Sequence, residues 1–210
     1  YTIRKFKSEP ITPTDLIEWS TFSPLSIAFL WLAVESGKSC IFAGGTASGK
    51  TTSLNAISLF IPPLAKIVTL EDTRELRPIQ ANYLPLVASK GDQGQARVTV
   101  DSLLQASLRL RPDRIFLGEI RGAEAYSFLR AINTGHPGSI TTVHADSPVL
   151  ALERLALMVL RAGTRQSRRD VLDYAGRTID LIVQVGREGG RRGVLEVFVP
   201  ALQTAAEPVP

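Results

Sequence analysis

The sequence predicts an α/β fold, a mostly parallel β-sheet with helices on both faces and a β-hairpin near the carboxyl end. Short apolar runs of strand type alternate along the chain with segments of helical period, which is typical of strands joined by helical crossovers. The last two apolar runs, residues 179–185 and 194–199, flank a Gly- and Arg-rich turn at 186–193 and are expected to pair as a hairpin. We place one domain at residues 1–200 and a disordered tail at 201–210.

Further strands are predicted where an apolar run is bounded by polar residues or glycine. They lie at residues 39–43, 66–70, 114–117 and 139–143. Apolar and polar residues roughly alternate over residues 1–7, which predicts a half-buried strand. Residues 83–96 have no regular pattern and contain Gly91 and Gly94, so we expect an irregular, mobile surface loop there.

Capping residues mark the predicted helices. Ser23 before Pro24, and Ser147 before Pro148, each combine a side-chain N-cap with proline at the first helical position. Helices are predicted at residues 16–19, 25–36, 53–60, 100–110, 123–133, 148–162 and 167–175. The helix at 25–36 is apolar on most faces, so we expect it to pack under the sheet.

Composition and charge argue against several classes of protein. The 24 basic and 20 acidic residues give a net charge of +4, too mild for us to expect a nucleic-acid partner. Cys40 is the only cysteine, so the chain has no internal disulfide and no metal cluster is expected. The longest apolar stretch, residues 27–34, is too short to span a bilayer, and there is no signal-peptide pattern.

A glycine-rich motif lies between the first predicted strand of the alternating series and the helix that follows it. It fits the phosphate-binding pattern G-x-x-x-x-G-K-[ST] and comprises Gly44, Gly45, Thr46, Ala47, Ser48, Gly49, Lys50, Thr51 and Thr52. Backbone N–H groups at the start of the helix would surround an anion, and Lys50 would reach the terminal phosphates. The plainer alternative is a glycine-rich turn that binds nothing.

Polar residues follow the next three predicted strands. These strands end at Glu71-Asp72, at Glu119 and at His144. Because ligands bind beyond the carboxyl ends of parallel strands, we expect these residues to converge with the glycine-rich motif at one edge of the sheet.

These residue types suit nucleotide hydrolysis, which needs a cradle for the phosphates, a metal ion and an oriented water. The Thr51 hydroxyl and Glu119 are candidate Mg²⁺ ligands. Glu71 suits the base that orients water, although Glu119 competes for that role. His144 is a candidate contact for a terminal phosphate. The plainer alternatives are that the carboxylates only cap a helix or stabilise a turn, and that the histidine only makes hydrogen bonds within the fold.

Several other polar residues have open roles. Asp72 could brace its loop, and His136 lies in a Gly-His-Pro-Gly turn where a turn role is expected. Four arginines lie around the strand predicted at residues 114–117 and are candidates to neutralise transition-state charge: Arg109, Arg111, Arg114 and Arg121. The alternative is that they form salt bridges.

Taken together, four ordered boxes resemble the secretion ATPases, the traffic ATPases of type II secretion, type IV pili and type IV secretion. The boxes are residues 44–52, 71–75 (Glu-Asp-Thr-Arg-Glu), 118–122 (Gly-Glu-Ile-Arg-Gly) and 134–147, which runs from Thr-Gly-His-Pro-Gly-Ser to His-Ala-Asp-Ser. Residues 1–6 and 29–33 are most similar to the archaeal branch, which drives pilus, secretion or archaellum assembly. The resemblance extends from residue 1 to about residue 185.

The resemblance implies a RecA-like motor domain that hydrolyses ATP with Mg²⁺. It makes the glycine-rich motif the Walker A loop, Glu71 the general base, Glu119 the Walker B acid near Mg²⁺ and His144 the phosphate sensor. Members of the family work as rings, usually hexamers, that dock on a polytopic membrane platform protein. The implied partners are therefore other copies of the chain and such a platform, and the implied location is cytoplasmic, peripheral at the inner face of the membrane.

Two departures from the family pattern matter. The amino-terminal domain is missing and the chain begins at Tyr1 without an initiator methionine, so we expect an isolated carboxyl-terminal motor domain with weak activity and ring assembly. The four-cysteine module frequent in the bacterial type II branch is also missing, which disfavours that branch and zinc. Two alternatives stay open, namely an ATP-binding scaffold with little turnover and a RecA-like nucleic-acid motor.

Overall fold

The computed structural model of the chain describes residues 10–91 and 97–204. The strands are β1 (Cys40–Ala43), β2 (Ile67–Glu71), β3 (Tyr83–Val87), β4 (Ser89–Lys90), β5 (Arg97–Val98), β6 (Arg114–Leu117), β7 (Ile140–Val143), β8 (Leu181–Glu188) and β9 (Arg191–Phe198). Seven of them form one sheet in the order β3-β2-β6-β7-β1-β8-β9, and β4 pairs with β5 separately. All neighbours in the large sheet are parallel except β8 and β9, so the predicted mostly parallel sheet is confirmed.

Helices cover both faces of this sheet. They are α1 (Pro13–Glu18), α2 (Pro24–Glu35), α3 (Lys50–Ile57), α4 (Val100–Ser107), α5 (Glu124–Asn133), α6 (Pro148–Arg161), α7 (Arg168–Thr178) and α8 (Pro200–Thr204), with 3₁₀ turns at Ser58–Phe60 and Leu108–Leu110. Side chains alternate across the sheet, so Phe42 of β1 packs in one core with α1, α2 and α3. Its neighbour Ile41 packs in the other core with α4, α5, α6 and α7.

Local capping chemistry sets the helix starts as predicted. The Ser23 hydroxyl accepts a hydrogen bond from the Ser26 backbone N–H, and the Ser147 hydroxyl accepts one from that of Leu150. The helices that follow begin at Pro24 and Pro148. A proline has no N–H to satisfy at this position, so the cap and the proline both favour a helix start there.

Helix α2 packs against the sheet as predicted, but along only one side. Ile27, Leu30 and Val34 are buried, whereas Leu25 is 80% exposed and Leu32 66% exposed. A helix buries only the face that its neighbours reach, however apolar the others are. Across the described residues, none of the helices combines the length and apolar character needed to cross a membrane.

The irregular loop predicted at 83–96 is wrong for its first part, because β3 (Tyr83–Val87) is a strand that pairs with β2. Pro85 lies within this strand, and among the described residues β3 is an edge strand with β2 as its neighbour, where a missing N–H is tolerated. Residues 92–96, and the strand predicted at 1–7, lie outside the described residues.

The carboxyl-terminal hairpin is confirmed and is longer than predicted. Its two strands run to Glu188 and from Arg191, so only Gly189 and Gly190 form the turn. Both have positive φ, 57° and 81°, as a tight two-residue hairpin turn requires. Helix α8 (Pro200–Thr204) then occupies the start of the segment predicted as a tail, and the rest of that segment lies outside the described residues.

Candidate active site at the carboxyl edge of the sheet

The glycine-rich loop, residues 44–49, joins β1 to α3 and needs glycine at two positions. A Cβ on Gly44 would lie 2.2 Å from the Val185 carbonyl oxygen, so the hairpin backbone leaves no room for a side chain. Gly49 immediately precedes α3 with φ 102°, in the left-handed region that favours glycine. The loop is therefore shaped by its contact with β8 as well as by its own sequence.

Lys50, the first residue of α3, is folded back against the glycine-rich loop. Its Nζ donates hydrogen bonds to the carbonyl oxygens of Gly44 at 2.9 Å and Gly45 at 2.7 Å. Burial lowers the pKa of Lys50, and the negative charge of Glu119 opposes that shift. The cation is thus held between the loop and the acidic residue that follows β6.

Arg192 on β9 also contacts the glycine-rich loop, which the sequence analysis did not foresee. Its Nε donates to the Ala47 carbonyl oxygen at 3.0 Å, and its side chain lines the same cavity as the loop. β8 continues past its last partner in β1, Ala43, so the hairpin projects over the loop. Only the register of the hairpin brings Arg192 to the site.

Glu71, the last residue of β2, is buried, and its two carboxylate oxygens differ in their hydrogen bonding. Its Oε1 accepts hydrogen bonds from the backbone N–H groups of Glu75 and Leu76, both at 2.8 Å. Its Oε2 is buried and has no hydrogen-bond partner among the described residues. Burial raises the pKa of Glu71, and the two N–H donors partly offset that effect. A carboxylate with one oxygen fixed and one available is suited to accept a proton.

Glu119 is held by two basic residues. Arg121 donates to its Oε2 at 2.6 Å, and His144 Nε2 lies 3.3 Å from its Oε1. Burial and the charge of Lys50 lower the pKa of His144, which favours the neutral ring. Arg121 also bridges to Asp72 at 3.1 Å, so Asp72 braces the site, as the sequence had left open.

Thr142 on β7 was also missed by the sequence analysis. Its hydroxyl donates to the Gly118 carbonyl oxygen at 2.8 Å, and its carbonyl oxygen accepts from the Ile120 N–H at 3.0 Å. These two bonds fix the backbone on both sides of Glu119. The apolar context of the strand hides this role in the sequence, because the bonds depend on β7 lying beside β6.

Most of the predicted site residues meet in one cavity of about 590 Å³, whose lining does not include Gly44 and Gly45. Its lining includes residues 46–52 of the glycine-rich motif together with Glu71, Glu119 and His144. Of the four candidate arginines only Arg121 lines it. Arg114 donates instead to the Val34 carbonyl oxygen at 2.6 Å, at the amino end of β6.

His136 is likewise remote from the cavity. Its Nδ1 lies 2.8 Å from the Pro112 carbonyl oxygen, so it has the turn role that its surroundings suggested.

The cavity fits a nucleotide and a hard metal ion. Its volume lies within the range of about 300–1,000 Å³ that small-molecule sites occupy. The Thr51 hydroxyl and the Glu119 carboxylate both line it, and oxygen ligands of this kind are those that Mg²⁺ prefers. The buried Oε2 of Glu71 adds an acceptor that no described residue uses.

Comparisons with known proteins agree with this architecture. Residues 1–184 match the family described as Type II/IV secretion system protein, T2SSE. The type IV secretion system protein VirB11 of Bartonella quintana is 43% identical over 174 residues, which are 82% of this chain and 49% of that protein. An uncharacterized protein of Methanocaldococcus jannaschii is 46% identical over 144 residues, 68% of this chain and 53% of that one.

A solved structure gives the same result at the level of the fold. The VirB11 ATPase from the Brucella suis type IV secretion system, in complex with sulphate, superposes with a TM-score of 0.78 at 33% identity. The alignment covers 94% of this chain and 60% of that one, and it confirms the RecA-like α/β fold.

The chain spans about half the length of the curated relatives that it matches. Bacterial and archaeal relatives are similarly close, so the archaeal branch stays a prediction. The match over residues 1–184 covers most of the 210 residues. The chain therefore belongs to the family of type II/IV secretion system proteins.

Proposed function

We propose that this chain is the motor domain of a Mg²⁺-dependent ATPase that powers protein secretion or the assembly of a pilus or archaellum-type filament. The main support is one juxtaposition: the glycine-rich loop shares its cavity with a buried glutamate, Glu71, one of whose oxygens has no hydrogen-bond partner among the described residues. The loop suits phosphates, and the glutamate suits a proton from water. Both are needed for hydrolysis rather than for binding alone.

The geometry favours a division of labour between the two carboxylates that the sequence left open. Glu119 forms an ion pair with Arg121 and contacts the His144 ring, so the arginine already balances part of its negative charge. That arrangement suits a carboxylate that helps to hold Mg²⁺ together with the Thr51 hydroxyl. Glu71 has an available oxygen and a pKa raised by burial, both of which suit a general base.

The remaining residues act on the phosphates of ATP. The backbone N–H groups of residues 44–52 and the amino end of α3 bind them, and Lys50 supplies a positive charge at the terminal phosphate. Bound Mg²⁺ would neutralise part of the charge that develops on the phosphates. His144, which contacts Glu119, is suited to donate a hydrogen bond to the terminal phosphate and to sense its loss.

For the whole protein we propose a ring, usually hexameric in this family, that docks on a polytopic membrane platform protein from the cytoplasmic side. Membership of the secretion family and the similarity to VirB11 support this proposal. Nucleic acid is not among the proposed partners.

The proposal is tested by phosphate release from Mg²⁺-ATP in the full-length protein. We expect Glu71→Gln to lower kcat by at least about 100-fold, the scale of a lost general base, while nucleotide binding persists. The matched control is Glu35→Gln, which removes an exposed carboxylate at the end of α2 that does not line the cavity; it should retain kcat within about threefold.

Two outcomes would contradict the proposal. A wild-type protein that binds ATP without measurable turnover would indicate a scaffold. Strong stimulation of hydrolysis by single-stranded DNA would indicate a nucleic-acid motor.

A further inference from the structure

The side chain of Asn55 joins α3 to the loop that follows β2. Its Nδ2 donates to the Glu75 carbonyl oxygen at 3.0 Å, and its Oδ1 accepts from the Arg77 N–H at 2.9 Å. Both polar atoms of the carboxamide are therefore used, on either side of Leu76. Asn55 lies about one helical turn after Thr51, on the helix that begins with Lys50.

The peptide group that Asn55 holds is also the one that fixes Glu71. The carbonyl oxygen of the Glu75–Leu76 peptide accepts from Asn55, and the N–H of the same peptide donates to Glu71 Oε1 at 2.8 Å. Hydrogen bonds at the two ends of one peptide group polarise each other and restrict its rotation. The rotation of this peptide decides where the Leu76 N–H points, and hence where the carboxylate of Glu71 is held.

We propose that Asn55 is a positioning residue that fixes the carboxylate of Glu71 relative to the phosphate-binding helix α3. The inference rests on the proposed function, because it takes Glu71 to be the general base. One helix then carries both the phosphate-binding end and, one turn later, the group that orients the base. The distance between the base and the terminal phosphate is in this way set by a single rigid element.

The test measures steady-state ATP hydrolysis and nucleotide affinity in the full-length protein carrying Asn55→Ala. We expect kcat to fall by about tenfold to a hundredfold, since a displacement of about 1 Å at a reacting group costs on that order. KM and the Kd for a fluorescent ATP analogue should stay within about threefold, because the glycine-rich loop is unchanged. A loss of affinity with unchanged kcat would overturn the proposal.

A second side-chain amide supplies the matched control. Gln80 Nε2 donates to the Ser58 and Ile61 carbonyl oxygens, both at 3.1 Å, and so fastens the far end of the same loop to the end of α3. Gln80→Ala should lower the melting temperature yet leave kcat within about twofold of wild type. If Gln80→Ala lowers kcat as much as Asn55→Ala, Asn55 only anchors the loop and the proposal fails.

A double-mutant comparison separates this proposal from the proposed function. Because Asn55 acts through Glu71, adding Asn55→Ala to Glu71→Gln should lower the residual rate no further. Independent, multiplicative losses would overturn the positioning role while leaving Glu71 as the base. High activity of Glu71→Gln alone would instead overturn the proposed function.

Discussion

At the scale of single residues, Glu71 combines two requirements that oppose each other. A general base needs an oxygen that is not committed to a hydrogen bond, and the buried Oε2 has no such partner in the part of the chain that the structure describes. Burial without a partner disfavours the ionised form, which is why the pKa of Glu71 is raised. The feature that suits Glu71 to catalysis therefore destabilises the folded protein.

We expect Glu71→Gln to raise the melting temperature at pH 7.5, because glutamine keeps the shape of the side chain but removes the buried charge. Removing the buried charge is worth about 1–3 kcal/mol, although the amide nitrogen takes the unpaired position, and each kcal/mol shifts the melting temperature of a domain this size by about 2–4 °C. Thermal unfolding monitored by circular dichroism measures the change, with Glu35→Gln as the control. A less stable Glu71→Gln protein at pH 7.5 would contradict the expectation.

The raised pKa of Glu71 also predicts how the difference in melting temperature between Glu71→Gln and the wild type depends on pH. The folded pKa lies above the ordinary value of 4.5, so ionisation of Glu71 favours the unfolded chain. This cost in folding free energy is complete above the pKa of Glu71 in the folded state. It disappears as the pH falls to the pKa of Glu71 in the unfolded chain. The advantage of Glu71→Gln should accordingly vanish near pH 4 in the same unfolding experiment, and an advantage that persists there would exclude ionisation as its cause.

At the scale of elements, the β8–β9 hairpin takes part in shaping the glycine-rich loop. Val185 closes the space beside Gly44, and Arg192 holds the Ala47 carbonyl oxygen. A hydrogen bond from a charged group contributes about 1.5–3 kcal/mol where it is well ordered, and less where both partners are exposed, as they are here. The hairpin should therefore affect nucleotide affinity although it lies outside every motif of the sequence.

Arg192→Ala should weaken ATP binding by about threefold to tenfold, because the loop loses a bond that holds it and the cavity loses a positive charge. Arg191→Ala is the matched control, since it removes the same charge from the neighbouring position, whose side chain points to the opposite face of the strand. Isothermal titration with a slowly hydrolysed ATP analogue gives both values. Equal losses in the two variants would mean that only net charge matters.

At the scale of the whole molecule, the sequence predicts the features that depend on interactions between residues close together in the chain. Ser147 and Pro148 specify a helix start because the cap joins residues three apart. The site residues were predictable because parallel strands bring their carboxyl ends together, whatever the order of the strands.

Features that depend on neighbours in space could not be predicted in this way. Pro85 indicates a break unless β3 is known to lie at the sheet edge, and the exposed side of α2 depends on where its neighbours stop. Arg192 reaches the glycine-rich loop only through the register of the hairpin. In each case the sequence specifies the residue but not the element that it faces.

The cavity is assembled from the ends of β1, β2, β6 and β7, so a ligand bound there would connect elements that are distant in sequence. We expect Mg²⁺-ATP at about 100 times its Kd to stabilise the fold by about 2.7 kcal/mol, which corresponds to a rise of about 5–11 °C in melting temperature. Differential scanning fluorimetry of Glu71→Gln, which should bind without turnover, measures the shift.

Lys50→Ala is the control, because it removes the charge expected at the terminal phosphate, and it should lose most of that shift. A shift retained in full by Lys50→Ala would mean that the nucleotide binds elsewhere. Since the glycine-rich loop contacts the hairpin through Arg192, Arg192→Ala should show an intermediate shift at the same nucleotide concentration. That order of the three variants would tie nucleotide binding to this edge of the sheet.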